Sequence, residues 1–305
     1  MTFLNQAKGF GSSPSSKEKQ SKNKNNSSPY KKIYSAPALY DLAVGYRNYE
    51  EEVEFLLEAH KQFSGAKERP KNIIEIASGP ARHSISALNS NSIQKATALD
   101  LAPEMVEYGT EVATNELKDD NLSQFKFVCD DMRTFTVDDG PYDSAWILLG
   151  SLQHLTTNQD VISCFFAVHR ALAPKGSLIL ELPHPNELFQ MIDSTKNSWE
   201  VPLEDENGSE YGELQVTWGD DGDEFDAITQ IRQNTVVLEL KGVENAESQN
   251  VRDIVPLRLF TAQEMELLAQ CGGFEVAALY GALSDEVDVT DEDIAYRLVC
   301  VLRKV

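Results

Sequence analysis

The sequence predicts an α/β protein built on a parallel sheet with helices on both faces, and three observations carry that prediction. From Ile73 to Gly176, short apolar runs alternate with segments of helical spacing. The apolar runs are nearly continuous, as strands covered on both faces require. Hydrophobic residues (41%), charged residues (25%) and aromatics (9%) of the 305-residue chain stand in the proportions of a soluble protein that buries a full core.

A helix is expected ahead of the sheet, because Tyr49, Val53, Leu56, Leu57 and His60 fall on one helical face. Strands are then expected over 73–77, 96–99, 125–129, 145–149 and 177–182, with helices over 81–89, 103–117 and 158–172. Pro103 suits the first turn of its helix, and Pro174-Lys175-Gly176 stops the third. Residues 187–255 change character, with 17 acidic against 4 basic residues, Gly-Asp turn signals and alternating pieces over 213–218 and 228–239. That pattern predicts an inserted antiparallel β unit. Thr261-Ala262-Gln263-Glu264 is a capping box opening a helix through Met265, Leu267 and Leu268, which Gly272-Gly273 ends. Phe274, Val276, Ala278 and Tyr280 alternate as a strand, and residues 296–302 supply the last one. The expected organisation is a disordered basic tail over 1–35 and one domain over 36–305, with 186–256 inserted as a β lid.

The formal charge is -22, from 27 Lys plus Arg against 49 Asp plus Glu. Residues 1–32 hold seven lysines and one glutamate, so the tail carries 7 - 1 = +6 and the remainder 20 - 48 = -28. A body that acidic repels phosphates, which argues against nucleic acid or a membrane surface as partner. No apolar stretch has the length of a membrane span, and the N-terminus lacks a secretory apolar region. An intracellular, cytoplasmic location is expected, with plastid or mitochondrion as the alternative suggested by the acid-poor Ser/Lys/Asn-rich N-terminus. Cys129, Cys164, Cys271 and Cys300 are too dispersed for a metal or redox motif, and no metal is expected.

The chemistry concentrates at strand ends. Ile73-Ile74-Glu75-Ile76-Ala77-Ser78-Gly79-Pro80-Ala81-Arg82-His83 runs from a buried strand through small residues into a helix, letting a ligand approach backbone amides. Only Gly79 is a glycine, so a GxGxxG dinucleotide loop is not present. Asp100 ends the next strand 25 positions after Glu75, where a carboxylate can accept both hydroxyls of a ribose. Asp130-Asp131-Met132 follows the third strand, where it can meet an adenine edge.

These residues resemble the class I S-adenosylmethionine-dependent methyltransferases, particularly the small-molecule subset of the methyltransferase domain 25 type. The first motif of that family, an acidic residue and a Gly-x-Gly-x-Gly loop, is similar to Glu75, Ala77, Gly79 and Ala81, with alanine at the two outer glycines. Alanine there makes a positive φ costlier. Asp100-Leu101-Ala102-Pro103-Glu104-Met105 resembles the ribose segment, Cys129-Asp130-Asp131-Met132-Arg133 the adenine segment, and the stretch from Tyr142 through Leu149-Gly150 to Leu155 the fourth-strand motif beside the reacting methyl. The resemblance covers about 40–184 and 258–303.

The resemblance implies a Rossmann-like, seven-stranded, mostly parallel sheet with an antiparallel seventh strand, and S-adenosylmethionine as cofactor. Implied cofactor contacts are Glu75, Ala77, Gly79, Arg82, Asp100, Leu101, Met105, Asp131, Met132, Leu149 and Gly150. Arg82 reads either as a ligand of the methionine carboxylate or as surface charge, and Glu75 also reads as a buried capped carboxylate. Tyr40, Tyr46, His154, His184 and Trp218 are candidates for the acceptor site, with packing roles as the alternative for each. His154 is the best-placed base for a hydroxyl acceptor, whereas an amine acceptor needs none. The acidic insert favours an amine. The implied function is methylation of a small molecule at N or O; the alternatives are a protein methyltransferase, or a non-catalytic S-adenosylmethionine-binding protein suggested by the alanines of the first motif.

Overall fold

The computed structural model of the protein describes residues 32–189, 197–205, 207–243, 249–291 and 293–305. Strands numbered in chain order, β1 (Asn72–Ile76), β2 (Lys95–Asp100), β3 (Phe125–Cys129), β4 (Tyr142–Ile147), β5 (Leu172–Pro183), β11 (Phe274–Tyr280) and β12 (Arg297–Lys304), form the main sheet. Its order is β11-β12-β5-β4-β1-β2-β3. The first five strands pair in parallel, and β12 pairs antiparallel with both β5 and β11. The Rossmann-like seven-stranded expectation therefore holds.

Adjacent residues of each strand face opposite layers. Ile74 and Ile76 join the core under α6 (Asn158–Ala171) and α8 (Ala262–Cys271), where Phe165, Leu268 and Phe274 pack. Ile73 joins the other core, under α2 (Tyr49–Phe63), α3 (Arg82–Asn89) and α4 (Pro103–Glu116). This double burial is the reason the strands read as continuous apolar runs. The capping box is present, with Glu264 N–H donating to Thr261 Oγ1 at 3.1 Å and the Glu264 carboxylate accepting from Thr261 N–H.

The insert is a second, antiparallel sheet of β6 (Asn197–Glu204), β7 (Glu210–Trp218), β9 (Ile231–Lys241) and β10 (Val251–Arg258), ordered β10-β9-β7-β6, with the two-residue β8 (Phe225–Asp226) paired to β9. Its apolar face does not rest on the main sheet. Leu214, Val216, Val236, Leu238 and Val255 pack instead against Ile33, Ala36, Leu39 and Ala43, from a short 3-10 turn (Ile33–Ser35) and α1 (Pro37–Val44). The N-terminal segment is thus sandwiched between insert and domain.

Two expectations need correction. The basic tail was expected to run to residue 35, yet Ile33 is fully buried and Ile33 N–H donates to Asp253 Oδ2 at 3.2 Å. Apolar surface on the insert, distant in sequence, supplies the partner that tail composition cannot show. Residues 1–31 of the expected tail lie outside the described residues. Ile228 was expected to begin a strand; it lies in a turn, 91% exposed, and β9 starts at Ile231.

Candidate active site

The loop joining β1 to α3 carries Ala77 (φ 50°), Gly79 (φ 52°) and Ala81 (φ 61°), all in the left-handed region. Glycine sits there freely; each alanine costs roughly 1–2 kcal/mol. The conformation persists because several contacts over-determine it. Ser78 N–H donates to the Leu99 carbonyl at 3.0 Å, Ala81 N–H to the Ser78 carbonyl at 2.9 Å, and Gly79 N–H to Asp100 Oδ2 at 2.8 Å. Ser78 Oγ is buried and has no hydrogen-bond partner among the described residues. A buried orphan of this kind on a small-residue loop fits a polar ligand arriving from outside.

Asp100 also accepts from Ala102 N–H through Oδ1 at 2.9 Å. Burial raises its pKa, opposed by the backbone donors of Ala102, Gly79 and Leu101. Each carboxylate oxygen has a second lone pair, so loop-holding and ribose binding are compatible at this residue. Leu101 beside it is 65% exposed, whereas Met105 is fully buried on α4. Asp131 faces Arg133, whose Nε donates to its two oxygens at 3.0 and 3.1 Å, and Arg133 also reaches Asp160 at 3.0 Å. Met132 packs on the main core.

Glu75 lines the groove over the loop, but Oε2 accepts from both Ser84 N–H (2.9 Å) and Ser84 Oγ (2.6 Å), which anchors the first turn of α3. Its Oε1 lies 3.4 Å from Nδ1 of the buried His83, whose Nε2 lies 2.7 Å from Glu52 Oε2. Burial pulls the His83 pKa down, and the hydrogen bonds and charges of Glu52 and Glu75 outweigh it, so the imidazole titrates at about 9. From Glu52 the network continues to Arg47 (2.9 Å), then to Glu181 on β5 (3.1 Å), then to Arg297 on β12 (3.1 Å). Glu181 Oε2 also accepts Leu149 N–H at 2.8 Å. One chain of charges therefore ties the first-motif loop to the end of β4.

Arg82 does not reach freely into the groove. Its guanidinium pairs with Asp41 on α1 and with Glu116 on α4 at 2.6 Å, and Tyr108 Oη donates to Asp41 Oδ2 at 2.9 Å. The pairing clamps α1 across the loop. The remaining space against Ala77, Ser78 and Tyr40 is about 20 Å³, room for about one water. As folded, this part of the groove is too small for more than a water, with α1 closed over it.

A larger cavity of about 430 Å³ opens between the end of β4, β5 and the insert. Tyr40, Tyr46, Trp218, Leu149 and Gly150, each singled out in the sequence, line it. Leu149 (φ 53°) and Gly150 (φ 71°) make the corner that turns the chain into the cavity wall. The histidines expected there are elsewhere. His154 Nε2 is 2.7 Å from Tyr34 Oη, and burial lowers its pKa to about 4; it faces the N-terminal segment, not the cavity lining. His184 Nε2 lies 2.9 Å from the Val289 carbonyl and its Nδ1 accepts Asn186 N–H at 3.3 Å, so it fixes the chain after β5. The acids of the insert were taken to favour a cationic acceptor, yet none of the described residues lining the cavity is Asp or Glu, whereas Arg232 and Arg297 are there. Alternation along the strands turns those acids away from the packed face.

Trp199, weighed with Trp218 as either a packing residue or an acceptor wall, also lines the cavity, whereas sequence reasoning missed Tyr34, Arg232, Asn234 and Arg297. Asn234 was findable, since the β9 alternation places it with Val236 and Leu238 on the packed face. Tyr34 was hidden by the composition of its neighbours.

Residues 73–176 match the family model described as a methyltransferase domain. Those residues carry a methyltransferase domain. The match holds β1 to the start of β5, hence the first-motif loop, Asp100, Asp131 and Leu149; the insert and the N-terminal segment lie outside it. YqeM of Bacillus subtilis (strain 168) is 29% identical over 124 residues, 40% of this chain and 47% of that protein, so the alignment spans about half of the relative. An S-adenosylmethionine-dependent methyltransferase from Clostridium acetobutylicum ATCC 824 superposes with a TM-score of 0.64 at 14% identity, covering 88% of this chain and 96% of that one. The sugar N-methyltransferase KedS8 from Streptoalloteichus sp ATCC 53650 gives 0.61 at 15% identity over 87% and 93%. At those identities the two solved structures speak for the fold, insert included. None of the described helices is long and apolar enough to cross a membrane.

Proposed function

We propose that the protein transfers a methyl group from S-adenosylmethionine to a small molecule seated in the 430 Å³ cavity. One observation carries the reading: the groove over the first-motif loop and the cavity share Tyr40, Val44 and Leu149 as walls, so ligands in the two spaces abut. When bound, the cofactor supplies a methyl group already activated on a sulfonium. Ser78 Oγ and the small-residue loop suit its amino-acid end, Asp100 its ribose hydroxyls, and Asp131 with Met132 and Leu101 its adenine.

The chain's own residues align and desolvate the acceptor. Leu149 is held in its strained turn by the Glu181 carboxylate, which fixes the corner nearest the reacting atoms. Trp199 Nε1 donates to the Ala43 carbonyl at 3.0 Å and Gln153 Nε2 to the Arg258 carbonyl at 3.1 Å, tying the insert over the site and excluding water. His154 is neutral and engaged with Tyr34, so the lined cavity holds no histidine base, and an amine that arrives deprotonated is the acceptor this arrangement serves best. The test is turnover of labelled S-adenosylmethionine against amine, carboxylate and phenol acceptors. Transfer to amines alone is expected; binding of S-adenosylhomocysteine with no transfer to any acceptor class would leave a binding protein instead.

A further inference from the structure

We propose that the acceptor is anchored by a carboxylate, held by the side-chain amide of Asn234. The inference rests on the methyl-transfer reading of the cavity. Along β9 the face turned to the packed side carries Leu238, Val236, Asn234 and Arg232 in succession. Leu238 and Val236 are fully buried in the apolar core with Leu214 and Val216. Where the same face borders the cavity, an apolar residue gives way to Asn234, which is 3% exposed and whose Nδ2 has no partner among the described residues. An unsatisfied buried donor is penalised, and no contact among the described residues compensates this one. Local rules broken in this way mark functional positions.

The chemistry of the missing partner follows from the atom. Nδ2 only donates, so the ligand presents an acceptor atom. The surroundings favour an anionic oxygen. In a chain of net charge -22, the described lining includes Arg232 and Arg297, the latter paired with Glu181 at 3.1 Å, and lacks Asp and Glu. Trp199, Trp218 and Tyr46 supply flat apolar walls, so the body between carboxylate and reacting nitrogen is apolar or aromatic. Asn234 lies on the insert and Leu149 on the β4 corner, so the anchored end and the reacting end meet different elements.

The experiment is calorimetric titration of the full chain saturated with S-adenosylhomocysteine, using indole-3-acetate, indole-3-acetamide and tryptamine as probes. Indole-3-acetate is expected to bind at least tenfold more tightly than the amide. The isosteric Asn234→Asp, whose melting curve reports folding, should abolish acetate binding and strengthen tryptamine; Asn234→Leu should weaken acetate at least tenfold. S-adenosylhomocysteine affinity should be the same in all three proteins. Equal binding of acetate and amide, no binding of acetate, or acetate binding retained in Asn234→Asp overturns the inference. Failure of the wild-type chain to bind S-adenosylhomocysteine overturns instead the methyl-transfer reading beneath it.

Discussion

Raising the pH from 6.5 to 8.0 should cost this protein roughly 1 to 2 kcal/mol of stability through His83 alone. His83 is buried between Glu52 and Glu75 and titrates at about 9 in the folded chain, against about 6.5 when unfolded. A folded value raised above the unfolded one gives stability that is full below about pH 6.5 and lost as the pH rises through about 9. The whole shift corresponds to about 3 kcal/mol, of which roughly half disappears by pH 8.0. His60 and His154 work the other way. Burial lowers both to about 4, so their contribution is lost as the pH falls below about 6.5. Cys164 and Cys300 stay protonated when buried and matter only above about pH 8.5, where the unfolded thiols ionise. Urea unfolding of the wild type and of His83→Gln at half-unit steps across this window, subtracted one from the other, isolates the His83 contribution. Parallel curves for the two proteins would refute the claim that an imidazolium is buried there.

Asp100→Ala should weaken S-adenosylhomocysteine binding by about 1.5 to 3 kcal/mol, because a charged acceptor is removed from both ligand and loop; unchanged affinity by calorimetry would sink the ribose assignment. Ile33→Ala should lower unfolding stability by roughly 2 to 4 kcal/mol in denaturant titrations, as expected for a fully buried side chain and not for a loose tail. Ala77→Gly should raise the melting temperature, gaining up to about 1 kcal/mol once the strain at φ 50° is relieved and the extra unfolded-state entropy is subtracted. Asp41→Asn should speed association of S-adenosylhomocysteine in stopped-flow mixing by loosening the Arg82 clamp on α1; an unaltered rate would show that α1 does not gate the groove.

The parallel strands and their order of motifs were legible because each depends on neighbours in sequence. Ile73 and Ile74 are apolar together since each meets a different helical layer, and Asp100 sits at a strand end by count. The site was less legible wherever a residue's role is decided by something distant. Arg82 carries the right charge for a carboxylate ligand, but Asp41, 41 residues earlier, takes it. His154 stands at the right distance after β4, but the Tyr34 hydroxyl, 120 residues away, occupies its Nε2.

By itself the sequence determined the sheet, the cofactor-motif positions and the existence of an antiparallel insert, since periodicity and turn chemistry are local. It also carried the cost of the two alanines, because a left-handed backbone is expensive for any side chain with a Cβ. Tertiary structure alone decided what the insert covers. Its apolar face could have closed on the main sheet, but Ile33, Leu39 and Ala43 lie between, and that arrangement follows from long-range burial with no local signal. The same packing turned the insert's acids outward and brought Asn234 and Arg232 to the cavity, reversing the charge that composition suggested for the acceptor site. Composition sums over all residues, whereas a ligand meets only those the fold turns toward it.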